Sequence, residues 1–194
     1  MKNFLLCLVA SFVLFSCKQK ENDKTQPEKK VEKNEYTLTK DGIGQLQIGM
    51  KDTELEKLLN QKFNFRMVVD SPGYWQDTIA AKYKDIDVSL YFERQDGDSD
   101  STFMQLSGVE TSDPLCKNEY GVGIGDEKMA ILQPYDDRSI NMGPEYEQVN
   151  DTTWAPSKTK YSVSIKDDKW DREIIFHLVN KKVSSLGAGL IMGD

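Results

Sequence analysis

The chain has 194 residues, with 25 Lys and Arg against 32 Asp and Glu and a formal net charge of −7. The charge is unevenly placed: residues 18–34 hold six Lys against four acidic side chains, whereas residues 35–194 hold 18 basic against 28 acidic, a net of −10. Phosphate binding depends on clustered Lys and Arg, so nucleic acid is excluded as a partner class. The acidity instead serves solubility and repels anions.

Residues 1–16 have the pattern of a secretion signal: Lys2 is basic, Phe4 to Phe15 is apolar almost throughout, and the small Ser16 precedes Cys17. A membrane-spanning helix needs roughly twenty apolar residues, more than this run supplies. The stretch Leu14-Phe15-Ser16-Cys17 resembles the lipobox of bacterial lipoproteins, with Phe15 where that pattern prefers a small or β-branched residue. The resemblance implies that Cys17 is acylated and becomes the first mature residue. Lys18 follows it where an aspartate would signal inner-membrane retention, so the resemblance implies an outer-membrane address, facing the periplasm or the cell surface. Each buried methylene of an acyl chain contributes about 0.8 kcal/mol, and two or more chains make the anchoring stable. The bland alternative is an ordinary cleavable signal with an incidental cysteine.

Residues 17–34 follow as a lipidated tether whose one aliphatic side chain is Val31. So little apolar surface cannot offset the entropy of ordering. As a flexible chain it would hold the next domain roughly 20 to 25 Å from the anchor. Of the three cysteines, Cys7 leaves with the signal and Cys17 is committed to lipid. Cys116 is then left alone, with no intramolecular disulfide available.

The remainder reads as a sequence said twice. "YTLTKDGIGQLQIGMKDTELEKLLN" at 36–60 is echoed by "TSDPLCKNEYGVGIGDEKMAILQPY" at 111–135, with Gly49 and Gly125 as matching turns before short helices. The first helix carries Leu55, Leu58 and Leu59 on one stripe, with Asp52 or Thr53 as its cap. The second bears Met129 and Leu132 and ends at Pro134. An irregular stretch with a tryptophan, Trp75 or Trp154, comes next in each half. Strands then follow. Val88, Leu90 and Phe92 alternate with polar residues, as do Tyr161, Val163 and Ile165, then Ile174, Phe176 and Leu178, with a turn at Asn180-Lys181. The expected fold class is therefore α+β: two repeated lobes, 35–110 and 111–194, each a short helix packed on a small antiparallel sheet. A lobe of this size is marginal alone, so the two should pack together.

"DGIGQLQIGM" followed by an amphipathic helix and strands resembles the modules of the β-lactamase inhibitory protein and of the small outer-membrane lipoprotein of the barrel-assembly machinery. Those families act by protein contact rather than by chemistry. Asp126 stands where the second module would carry methionine, and the loops do not match, so no binding residue is carried over.

Residues with chemistry are sparse. "GIGQLQIG" and "YGVGIG" lack the Lys-Ser/Thr of a phosphate loop and any βαβ frame, so they are turns. Asp96, Asp98 and Asp100 have calcium-loop spacing, but Ser101 and Ser107 occupy the positions that need glycine and a bidentate glutamate. His177, the only histidine, excludes a zinc site built from several imidazoles. No metal or cofactor is expected. Tyr74, Trp75 and Trp154 lie in loop-like sequence and are the candidate partner-binding residues, with core caps as the alternative.

The expectation is a non-enzymatic, lipid-anchored envelope protein: it meets the membrane through acylated Cys17 and binds a protein or peptide partner through loops of the two-lobed unit. The alternatives are a thiol-dependent hydrolase using Cys116 and His177, and a carrier of a small apolar ligand in a dry pocket between lobes.

Overall fold

A computed structural model describes residues 32–65, 76–96, 102–167, 169 and 171–191. The amino-terminal strands are β1 (Thr37–Thr39), β2 (Gly42–Ile43) and β3 (Leu46–Gln47), followed by α1 (Asp52–Leu59). Three longer strands come next: β4 (Gln76–Tyr83), β5 (Ile86–Asp96) and β6 (Thr102–Thr111). After β7 (Lys117–Asn118), α2 (Lys128–Leu132) runs into a 3-10 turn at Gln133–Tyr135. The chain ends in β8 (Ile140–Asn150), β9 (Thr153–Lys166), β10 (Arg172–Val179) and β11 (Lys182–Leu190).

The long strands form one seven-stranded sheet in the order β4-β5-β6-β11-β10-β9-β8, antiparallel throughout. Side chains alternate between the faces of a strand. Leu90, Leu106, Phe176, Leu178, Val163 and Leu186 all lie on the inner face and are essentially fully buried. Each contributes roughly 1.5 to 3 kcal/mol by leaving water. A small sheet, β3-β2-β1-β7, closes the inner side, with β1 and β7 running parallel and β2 touching β6 and β11.

The expected α+β architecture of two helix-on-sheet lobes is corrected here: the fold is mostly strand, with two short helices. Residues 35–110 and 111–194 do not each carry a separate sheet, because β6 pairs with β11 from Thr111↔Leu186 to Gly108↔Gly189. That contact depends on Gly187, where an added Cβ would stand 2.4 Å from the Val109 carbonyl oxygen. The helices are too short to form a layer: α2 has five residues, and Pro134 stands two residues after its end. In α1, Leu55 is buried while Leu58 is exposed, so the leucine stripe is covered only in part. The helix is capped at Lys51 rather than at Asp52 or Thr53, with the Lys51 N–H donating to Glu54 at 3.0 Å.

The second source of the difference is residues 140–160, which read as irregular but form most of β8 and β9. Pro144 and Pro156 hide them. Proline is tolerated at a sheet edge, where its missing N–H faces solvent, and at bulges. β8 is an edge strand, and Pro156 adjoins a register shift in the β8–β9 pairing.

Several local features follow their residue types directly. Asn180 and Lys181 both have positive φ, 52° and 70°, the geometry of a two-residue hairpin between β10 and β11. Gly49 and Gly125 have φ of 96° and 89°, and each donates its N–H to a strand carbonyl at 2.8 or 2.9 Å, Leu106 and Val183 respectively. The β1–β2 turn is tied to the β9–β10 turn by Lys40 with Asp167 at 2.8 Å and by Arg172 with Asp41. Asp167 also accepts from the backbone of Lys169 and Asp171. The Lys40 ammonium, aided by the Asp171 N–H, holds the Asp167 carboxyl well below the usual carboxylate range.

Candidate functional site

β8 and β9 pair regularly from Ile140↔Ile165 to Pro144↔Tyr161, and then the register jumps to Tyr146↔Pro156. Residues 157–160 consequently bulge opposite Glu145 alone. The bulge is fastened by Ser157, buried, whose hydroxyl accepts from the N–H groups of Thr159 at 3.2 Å and Lys160 at 3.0 Å. β10 accompanies β9 only from Lys160 to Lys166. Beyond the bulge, residues 146–156 therefore run on as a two-stranded ribbon, with no third strand in register beside them among the described residues.

Directly opposed residues of an antiparallel pair share a face. Tyr146 with Pro156, and Gln148 with Trp154, thus form one face of the ribbon, continuing the inner face of the sheet past the end of its core. Tyr146 is 64% and Trp154 61% exposed, and among the described residues neither side chain makes a hydrogen bond. Glu147 and Ala155 form the other face, where Glu147 meets Lys160 at 3.0 Å. That bond lowers the carboxyl of Glu147 and raises the ammonium of Lys160.

The root of the ribbon is bound to the outer face of the sheet. His177 Nδ1 lies 2.7 Å from Glu145 Oε1, and its Nε2 lies 4.0 Å from Glu110 Oε1. Tyr91 donates to Glu110 at 2.7 Å, and burial together with this bond pushes its phenol up. The row crosses the sheet from β5 to β8 over small residues: Gly187 faces Glu110 on β11, while Ser185 and Ser162 flank His177. Beside it is an open trough of about 480 Å3, lined by Lys82, Ser89, Tyr91, Glu110, Ser112 and Ser185 among others.

The residues named from sequence separate. Trp154 is an exposed residue of strand β9 rather than of a loop, and it is not a core cap. Tyr74, Trp75 and Cys17 lie outside the described residues, as do Asp98 and Asp100. Cys116 is fully buried in the core, and burial pushes its thiol up to about 12, in the direction that keeps it protonated at neutral pH. His177 alternates with the buried Phe176 and Leu178, so it points to the outer face, away from the core that holds Cys116. The structure does not bring the two together. Among the described residues no three His, Cys, Asp or Glu side chains are placed to hold a metal ion, and no helix is long and apolar enough to cross a membrane.

Tyr146 was missing from the sequence-derived set. Its signal was the spacing Tyr146-x-Gln148 facing Trp154-x-Pro156, legible only once the bulge fixes the register. Comparison of the chain with protein-family models, curated proteins and solved structures finds no match.

Proposed function

We propose that this chain is a lipid-anchored envelope protein that binds a protein or peptide partner through the aromatic face of the β8–β9 ribbon. The observation that carries the reading is the adjacency of Tyr146 and Trp154, two large exposed side chains on one face of a ribbon that buries no apolar core of its own. Tyrosine and tryptophan provide large contact area with little rotamer entropy to lose, and they dominate binding hot spots. The anchoring half of the proposal rests on the signal-like residues 1–16, on Cys17 and on the tether 17–34. It places the protein at the bacterial outer membrane.

The test is recovery of partners from envelope extract with the full chain and with Tyr146→Ala/Trp154→Ala. Loss of a crosslinked partner from the variant, with unchanged melting, is the expected result; equal recovery would remove the ribbon from the proposal. Anchoring is checked separately with Cys17→Ser, which should move the protein from the membrane fraction into the soluble one.

A further inference from the structure

The outer face of the sheet holds a trough of about 480 Å3 that spans β4, β5, β6 and β11. Small-molecule sites usually enclose about 300 to 1,000 Å3, so its size fits a ligand of that kind. Tyr91 lines it, partly exposed, directly opposite Gly108 in the β5–β6 pair. A Cβ added at Gly108 would stand 3.4 Å from Tyr91 Cδ2, so the ring lies close against the neighbouring strand. The far end of the ring is fixed as well, because the phenol O–H donates to Glu110 at 2.7 Å. The charged groups of the trough are already offset. Lys82 and Asp87 oppose each other in the β4–β5 pair, and Glu110 accepts from Tyr91 and stands 4.0 Å from His177 Nε2. The uncommitted polar groups are neutral: among the described residues, the side chains of Ser89, Ser112 and Ser185 make no hydrogen bond within the chain. Gln61 donates from Nε2 to the Ala80 carbonyl at 3.2 Å, which leaves its Oε1 as an acceptor.

We infer that this trough binds a neutral carbohydrate, with one pyranose ring against Tyr91 and sugar hydroxyls meeting the serine hydroxyls and Gln61. The inference is independent of the ribbon, whose aromatic residues continue the opposite, inner face of the sheet. A tyrosine ring is negative over its face, and the C–H groups along one side of a pyranose present weakly positive hydrogens to it. A serine hydroxyl both donates and accepts, as a sugar hydroxyl does, so each bond can form in whichever sense the ligand requires. The other ligand classes fit less well. An anion would face Asp87 and Glu110 in a domain of net charge −10. A cation would meet Lys82 and a Glu110 that is already engaged. An apolar ligand would strip water from Ser89, Ser112 and Ser185 without replacing their hydrogen bonds. A neutral, hydroxyl-rich ring meets none of these objections.

The experiment uses the full chain in detergent micelles and the methyl pyranosides of glucose, galactose, mannose and N-acetylglucosamine, each titrated into the tens of millimolar. Spermidine, inorganic phosphate and indole stand for a cationic, an anionic and an apolar ligand. The readout is the set of backbone amide resonances of residues 87–89 and 110–112, on the strands that line the trough. At least one pyranoside is expected to shift these resonances saturably, with an affinity about tenfold weaker in Tyr91→Ala, the loss of one dominant contact. Ser112→Trp places bulk in the trough from an exposed position and should abolish the shift, which keeps the test decisive if Tyr91→Ala does not fold. Absence of a saturable shift with every pyranoside would overturn the inference. Saturation by spermidine, phosphate or indole alone would overturn it too, and would assign the trough to that class of ligand. So would sugar binding of unchanged affinity in a folded Tyr91→Ala or Ser112→Trp, which would place the sugar elsewhere on the chain.

Discussion

Strand β9 is two regions in one element. From Lys160 to Lys166 it lies between β8 and β10, with Val163 and Ile165 buried against the core. From Thr153 to Pro156 the same strand has β8 as its one ladder partner among the described residues, and Trp154 is exposed. The bulge at residues 157–160 separates the two. The outer segment is held by pairing with β8, by the buried Ser157 at the bulge and by the Glu147–Lys160 contact, while the large buried apolar side chains belong to the inner one. Tyr146 and Trp154 consequently carry no packing in the core, which leaves them available for the recognition proposed above.

That contrast breaks most visibly in the core. Phe176→Ala removes a fully buried ring from the strand beside β9 and should destabilise the domain by about 3 to 5 kcal/mol in chemical denaturation. A Tyr146→Ala change on the ribbon should stay within about 0.5 kcal/mol, as surface substitutions do. Comparable losses at the two positions would mean that the ribbon is part of the core after all.

Two glycines sharpen the same comparison. Gly187→Ala drives a Cβ to 2.4 Å from the Val109 carbonyl oxygen, on the strand pair that unites both halves of the sheet. It should cost about 1 to 3 kcal/mol, the range of overpacking. An added Cβ at Gly143, on the edge strand, meets nothing within 4 Å, and Gly143→Ala should be nearly neutral. Equal melting of the two variants would contradict the pairing of β6 with β11.

At the opposite end of β9, Asp167 ties the β9–β10 turn to Lys40, and its folded carboxyl lies below the ordinary range. A carboxyl lowered by folding contributes stability that is fully present above the unfolded value, near 3.9, and is lost as pH falls through the folded value. Asp167→Asn should therefore melt below the wild type at pH 7, and the gap should narrow in acid below about pH 4. A gap independent of pH would show that the Asp167 charge does not contribute.

The smallest effect concerns Cys116. With its thiol raised to about 12 by burial, native protein should leave Cys116 unmodified by a thiol reagent at neutral pH, with labelling only on unfolding, read by peptide mass. Rapid labelling of the native chain would place Cys116 at the surface and reopen thiol chemistry.

What the residues disclose by themselves follows the same division. The strands that bury one face, such as Ile174, Phe176 and Leu178 on β10, announce themselves by period-two alternation, and Asn180-Lys181 marks its own hairpin. β8 has no such mark: an edge strand that runs past the core has no face to bury, and Gly143 and Pro144 in its middle imitate a loop. The joining of β6 to β11 is invisible as well, because it is a long-range choice of neighbour that no local pattern encodes. Misplacing those two features is what turned a single broad sheet into two small lobes. Trp154 could be singled out as an exposed aromatic candidate, but its companion Tyr146 required the register.

The most direct test of the ribbon as the functional surface is crosslinking in intact cells with a photoreactive residue at position 148, between Tyr146 and Trp154, compared with one at Lys158 on the bulge. The account predicts a discrete crosslinked partner from position 148 that disappears on Tyr146→Ala/Trp154→Ala, with little from position 158. Equal capture at both positions, or capture at 148 that survives the double variant, would contradict it.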